Sequence, residues 1–204
     1  MREASFLALG DSYTIGEGVA DDARWPVQLA ARLRAEGFAV APPRIVATTG
    51  WTTDELAAAM DAAHLRPGYA LVTLLIGVNN QYRGRPAAEY REPFLALLHR
   101  AIGLAGDARR VVVVSIPDWG VTPFAEGRDR AAIASAIDTF NAIARDETLR
   151  AFARWVDVTD ISRRDARDVV DDGLHPSATQ YAAWVDAILP QARAALRERP
   201  NATT

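Results

Sequence analysis

Two stretches of the chain, Leu71-Val72-Thr73-Leu74-Leu75-Ile76 and Arg110-Val111-Val112-Val113-Val114-Ser115-Ile116, are apolar almost throughout instead of at every second position. A strand with one face in water alternates, whereas a strand written like these has both faces covered, as interior strands of a parallel sheet do. Shorter runs of the same kind recur at residues 6–9, 45–47 and 155–158. Between the runs lie stretches rich in Ala, Leu and Arg and long enough for helices, at residues 23–36, 53–64, 87–104, 129–144 and 177–197. Strand alternating with helix predicts an α/β fold, a three-layer sandwich around a five-stranded parallel sheet with right-handed crossovers, and the runs at 71–76 and 110–116 at its centre.

The punctuation agrees with that alternation. Thr52-Thr53-Asp54-Glu55 has the form of a capping box, Pro67-Gly68 breaks the chain before a strand, and Pro176 suits the first turn of the last helix. At 204 residues, 50% hydrophobic and 24% charged, the chain is sized for one domain, expected over residues 1–199 with a frayed tail at 200–204.

Composition narrows the chemistry. A net charge of -3 and 23 scattered basic residues speak against an electrostatic nucleic-acid binder. With no cysteine, disulfides, thiolate metal sites and a cysteine nucleophile are excluded. The apolar runs fall far short of the roughly 20 residues that cross a bilayer, and residues 1–5 open without a long apolar core, so the expectation is a cytoplasmic chain without a membrane span. No HExxH or paired-histidine spacing is present, so no metal is expected; GxGxxG and the phosphate-loop GxxxxGK are absent, which speaks against a nucleotide cofactor; and the GxSxG elbow is missing, so a nucleophilic serine would sit in a different framework.

Two features then stand out. The first apolar run stops at Gly10-Asp11-Ser12, placing a serine at the mouth of a strand, and Asp172-Gly173-Leu174-His175 sets a carboxylate and an imidazole on one short turn. A hydroxyl, a base and an acid that orients the base are the parts needed for acyl transfer. Asp172 fits the three-residue spacing to His175 better than its neighbour Asp171 does, and a helix-start cap is the competing reading of the motif. Functional groups of a doubly wound sheet collect beyond the carboxyl ends of the strands, where Gly10 to Ser12, Gly50, Gly77 to Asn80 and Asp118-Trp119 would converge. Read singly, Gly50 is also a plain turn glycine and Asn79-Asn80 a plain turn.

Taken together and in order, these blocks resemble the SGNH subgroup of the GDSL esterases and lipases, over residues 6–177. The resemblance implies the flavodoxin-like SGNH hydrolase fold, with Ser12 as nucleophile and His175 and Asp172 completing its triad. It also implies an oxyanion hole made of the Ser12 and Gly50 backbone N–H groups and the Asn79 side chain. The sequence departs from the usual pattern at Tyr13, where leucine is more common, and at Asn80, where aspartate is usual. It further implies a serine esterase or lipase that works through an acyl-serine, without cofactor or metal; the short chain, with no obvious long lid insertion, favours a small acyl ester as substrate. A lysophospholipase or acyl-thioesterase and a carbohydrate deacetylase are alternatives on the same groups, and a non-catalytic α/β binding module is the alternative of another class.

Trp51, Tyr82, Trp119 and Phe124 fall in loops on the expected active side and are candidates for an apolar substrate wall, with ordinary loop packing as the alternative. For Arg83 and Arg85 the alternatives are contact with an anionic substrate group and a solvated loop. Asp11 is expected to brace the serine turn through backbone hydrogen bonds.

Overall fold

The computed structural model describes residues 3–198; the expected tail at 200–204 lies outside them. Five parallel strands, β1 (Phe6–Gly10), β2 (Arg44–Ala47), β3 (Leu71–Leu75), β4 (Val111–Val114) and β5 (Arg154–Val156), line up in the order β2-β1-β3-β4-β5. This is the flavodoxin-like doubly wound order. β3 lies at the centre of the sheet, between β1 and β4. Every residue of β1, β3 and β4 is buried, which is why those segments are written without alternation.

Helices cover both faces. α2 (Trp25–Ala35) and α8 (Ala178–Arg197) pack on each other on one side, while α3 (Thr53–Ala62), α5 (Ala87–Ala105) and α6 (Arg130–Arg150) lie together on the other. The largest fully buried side chains include Trp25, Trp184, Tyr90, Tyr181, Phe6 and Phe94, and truncating side chains of this size costs about 3–5 kcal/mol each.

Three short helices were not legible in the pattern: α1 (Ser12–Ile15), α4 (Val78–Tyr82) and α7 (Thr159–Arg164). A helix of one turn or so is too short to show a hydrophobic period. α6 runs on past the expected end at residue 144, where Thr148 Oγ1 bonds back to the Ala144 carbonyl and the Glu147 carboxylate pairs with Arg91. α8 is capped by Ser177, whose hydroxyl accepts from Thr179 N and Gln180 N, so Pro176 precedes the helix and does not form its first turn.

The topology places the site. β1 leads by way of α2 to β2 on one side, and the chain then crosses to β3 on the other, so the switch point lies at the carboxyl end of β1. At that end Gly10 sits opposite Ala47 and Leu75. A Cβ on Gly10 would lie 2.1 Å from Thr14 Oγ1 and 2.5 Å from the Leu75 carbonyl oxygen, so only glycine lets α1 fold back this tightly on the sheet.

Candidate active site

Ser12 opens α1 directly beyond β1 and is 4% exposed. Asp11 caps the turn, its Oδ1 accepting from Tyr13 N at 3.1 Å, as the sequence suggests. Ser12 Oγ makes no hydrogen bond among the described residues, which leaves the hydroxyl open to the cavity beside it. Tyr13 is buried, its ring 5.5 Å from that of His175 and 6.1 Å from that of Trp184, so the residue that replaces the more common leucine packs the serine turn onto the histidine and α8.

His175 arrives from the far end of the chain, on the loop between α7 and α8. Its Nδ1 lies 2.6 Å from Asp172 Oδ2, while Asp172 Oδ1 accepts from Leu174 N at 2.8 Å and from His175 N at 2.9 Å. One carboxylate thus folds the turn and orients the ring. Because an ionised carboxylate only accepts, Nδ1 carries a proton and Nε2 is left as the free acceptor. Partial burial tends to raise the Asp172 carboxyl, but the hydrogen bonds from the His175 ring, His175 N and Leu174 N outweigh it and hold the group below its usual range.

Gly50 follows β2 and adopts φ of 87°, a left-handed conformation that favours glycine. The N–H groups of Ser12 and Gly50 donate to no group among the described residues. Asn79, on α4 beyond β3, donates from Nδ2 to the Trp51 carbonyl at 2.9 Å, which fixes the amide plane and leaves its second hydrogen free. The neighbouring Asn80 is buried and grips the start of α3: its Oδ1 accepts from Thr53 N at 3.1 Å and its Nδ2 donates to Thr53 Oγ1 at 2.9 Å. The amide in place of the usual aspartate therefore supplies one acceptor and one donor to a single residue. The capping box read from the sequence is present, with Thr52 N donating to Glu55 Oε2 at 2.8 Å.

These groups meet in a cavity of about 160 Å³ lined by Ser12, Tyr13, Thr49, Gly50, Val78, Asn79, Tyr82, Trp119, Phe124, Leu174 and His175. Tyr82, Trp119 and Phe124 form one aromatic cluster, with centroids 5.3 Å apart for Tyr82 and Trp119, 6.1 Å for Trp119 and Phe124 and 6.3 Å for Tyr82 and Phe124. Trp119 Nε1 donates to Gln81 Oε1 at 2.7 Å, tying the cluster to α4. Buried Asp118 holds the Trp119 turn through Gly120 N at 2.9 Å and pairs with Arg163 Nε at 2.9 Å. Trp51 does not line the cavity: its side chain packs against the core, and its carbonyl is what reaches the site.

Arg83 and Arg85 are not merely solvated. Arg83 Nη2 donates to the Gly50 carbonyl at 2.6 Å and lies 3.3 Å from Glu55 Oε2, while Arg85 Nη1 pairs with Asp54 at 2.6 Å. Such pairings join residues about 30 positions apart, a distance at which the sequence carries no periodic signal. Thr49, Val78 and Leu174 also line the cavity, and their residue types mark them only as ordinary packing residues. Among the described residues no cluster of three or more His, Cys, Asp or Glu side chains could hold a metal ion. No helix among them is long and apolar enough to cross a membrane.

A parallel α/β sheet with a free hydroxyl, an imidazole and a carboxylate at its carboxyl edge has the make-up of a serine hydrolase. Residues 8–183 match the GDSL-like Lipase/Acylhydrolase family, and the chain belongs to that family. It is an ester-bond hydrolase, which sets aside the non-catalytic binding module. Its fold is similar to that of the psychrotrophic esterase EstA from Pseudoalteromonas sp., at 17% identity and a TM-score of 0.74, over 96% of this chain and 100% of that one. TesA is similar at 19% identity and a TM-score of 0.73, over 94% and 99% of the two chains. The lipase/acylhydrolase from Enterococcus faecalis is similar at 19% identity and a TM-score of 0.73, over 97% and 98%. No curated protein sequence matches the chain.

Proposed function

We propose that the protein hydrolyses small carboxylic esters, with Ser12 as nucleophile, His175 as general base and acid, and Asp172 as the group that orients His175. The observation that carries this reading is the 2.6 Å contact of Asp172 Oδ2 with His175 Nδ1 on the rim of a cavity that Ser12, Gly50 and Asn79 also line. In the first half-reaction His175 Nε2 takes the Ser12 Oγ proton as Oγ bonds to the ester carbonyl carbon. The negative oxygen of the tetrahedral intermediate accepts from Ser12 N–H, Gly50 N–H and the second Asn79 Nδ2 hydrogen. Its collapse breaks the bond to the alcohol oxygen, which leaves with the proton held on Nε2. Water then gives its proton to Nε2 and its oxygen to the acyl carbon, releasing the acid and restoring the Ser12 hydroxyl.

Size supports the choice of a small ester. A cavity of about 160 Å³ has room for a short acyl group and a compact alcohol. Two measurements test the reading. A fluorophosphonate should label Ser12 in the folded protein, as seen by peptide mapping, and Ser12→Ala should remove nearly all turnover. Across p-nitrophenyl esters from acetate to palmitate, run beside thioesters and acetylated sugars, kcat/KM should be highest for short oxygen esters. Labelling elsewhere than Ser12, or a preference for palmitate, would overturn the corresponding half of the proposal.

A further inference from the structure

The aromatic wall of the cavity carries a cation with no other side-chain partner among the described residues. The Arg128 guanidinium carbon lies 5.6 Å from the centroid of Tyr82, 5.3 Å from that of Trp119 and 5.2 Å from that of Phe124. Each of those rings lines the cavity, while Arg128 does not line it and is exposed at their edge of the molecular surface. Its side-chain N–H groups meet no acceptor among the described residues. Other arginines of these loops and helices are engaged: Arg83 with Gly50 O and Glu55, Arg85 with Asp54, Arg130 with the Val121 and Thr122 carbonyls, and Arg163 with Asp118 and Asp138.

Stacking on aromatic rings occupies the face of a guanidinium and leaves its in-plane donors free, in a fork that matches a carboxylate or phosphate. The rings also restrict a long side chain in advance, which lowers the ordering cost of binding an anion. Neither nearby acid forms an ion pair with it: Asp129 caps α6 through Ala132 N at 3.0 Å, and neither Asp129 nor Glu126 lies within salt-bridge distance of Arg128. Phe124 N donates to Gly173 O at 2.9 Å, two residues before His175, so the wall is fastened to the loop that carries the base. In the mechanism proposed above the alcohol leaves with the proton from His175, and Phe124 is tied to the His175 loop, so we assign this wall to the alcohol side of the cavity.

We propose that Arg128 is a specificity residue that recognises a carboxylate or phosphate on the alcohol portion of the ester, beyond the Tyr82, Trp119 and Phe124 rings. The proposal rests on the ester-hydrolase reading of the same cavity and adds the substrate class to it: short acyl esters of anionic alcohols or phenols.

The test compares para-tolyl acetate, para-acetoxybenzoate and para-acetoxyphenyl phosphate with the wild type, Arg128→Met and Arg128→Lys. Arg128→Met keeps the apolar stem against the rings, and any general damage to the wall affects all the esters and cancels in the ratio. Relative to the neutral ester, kcat/KM for at least one anionic ester should fall about tenfold in Arg128→Met and less in Arg128→Lys, and added salt should shrink the wild-type advantage. The carboxylate and phosphate arms show which anion is taken. Calorimetry gives a readout without turnover: Ser12→Ala should bind the preferred anionic ester several-fold more tightly than Ser12→Ala/Arg128→Met does. Hydrolysis of para-tolyl acetate with anion ratios and binding untouched by Arg128→Met would overturn the role of Arg128 alone. Failure of the wild type to hydrolyse any of these esters would count against the small-ester reading instead, and the calorimetric comparison would still decide whether Arg128 binds the anion.

Discussion

Asn79 Nδ2 donates to the Trp51 carbonyl at 2.9 Å, so one hydrogen of the amide is held by the loop that carries Gly50 and the other is aimed by it. A preorganised donor of this kind gains its strength as negative charge develops on the substrate oxygen. Asn79→Ala is therefore expected to lower kcat on the order of 10²- to 10³-fold, with a smaller change in KM. Steady-state kinetics on a short p-nitrophenyl ester check this, and a variant of unchanged kcat would remove Asn79 from the oxyanion hole.

Asn80 makes the adjoining connection, one acceptor to Thr53 N and one donor to Thr53 Oγ1, in a fully packed position. Removing the amide strands a buried N–H in the first turn of α3. Asn80→Ala is expected to cost about 1–3 kcal/mol in urea unfolding, with a coupling of about 1 kcal/mol to Thr53→Ala in a double-mutant cycle. Strictly additive losses would mean that the two side chains do not share a bond.

The contrast between these neighbouring asparagines shows which parts of the site are written locally. Gly50 and Asn79 read singly as plain turn residues and stand out only through the family resemblance, whereas Ser12 and the Asp172 and His175 turn lie at a strand end and on a short turn, where type and spacing carry the signal. The sheet was legible for a similar reason, since β1, β3 and β4 are buried on both faces and cannot alternate. What joins the site was not legible. The reach of Asn79 to a backbone carbonyl, of Asn80 to Thr53 and of Arg83 to Gly50 depends on how β2 and β3 flank β1, and none of these partners is close in sequence. Trp51 shows the opposite limit: its residue type suggested a substrate wall, whereas its backbone carbonyl is what the site uses.

Asp11 has one oxygen on Tyr13 N and a second, buried Oδ2 with no partner among the described residues. Burial pushes its carboxyl up to about 8, against the pull of the backbone N–H groups of Tyr13 and of Asp11 itself. An unfolded aspartate titrates near 3.9, so between about pH 4 and pH 8 the native state holds a proton that the unfolded chain has lost. The Asp11 contribution to stability is thus fully present below about pH 4, declines as pH rises and levels off above about 8. Asp11→Asn keeps an acceptor for Tyr13 N and does not titrate. Its stability relative to the wild type should increase by more than about 1 kcal/mol between about pH 5 and pH 8. A difference that stays constant across denaturation curves in that range would mean that the native carboxyl is ionised throughout.

Arg83 holds the other side of the proposed oxyanion hole, because its bond to the Gly50 carbonyl at 2.6 Å constrains the torsion next to the Gly50 N–H. A glycine at φ of 87° has no side chain of its own to resist rotation, so the outside clamp on its carbonyl helps to hold the turn that carries that donor. The pairing of Arg83 with Glu55 is solvent-exposed and adds at most about 1 kcal/mol to stability. Arg83→Met should accordingly leave unfolding nearly unchanged while lowering kcat by about tenfold, with KM shifted much less, the pattern of a donor displaced from the transition state. Arg83→Lys, which can still reach a carbonyl with one ammonium donor, should recover part of the loss. If KM rose while kcat held, Arg83 would be acting on substrate binding and not on the Gly50 donor.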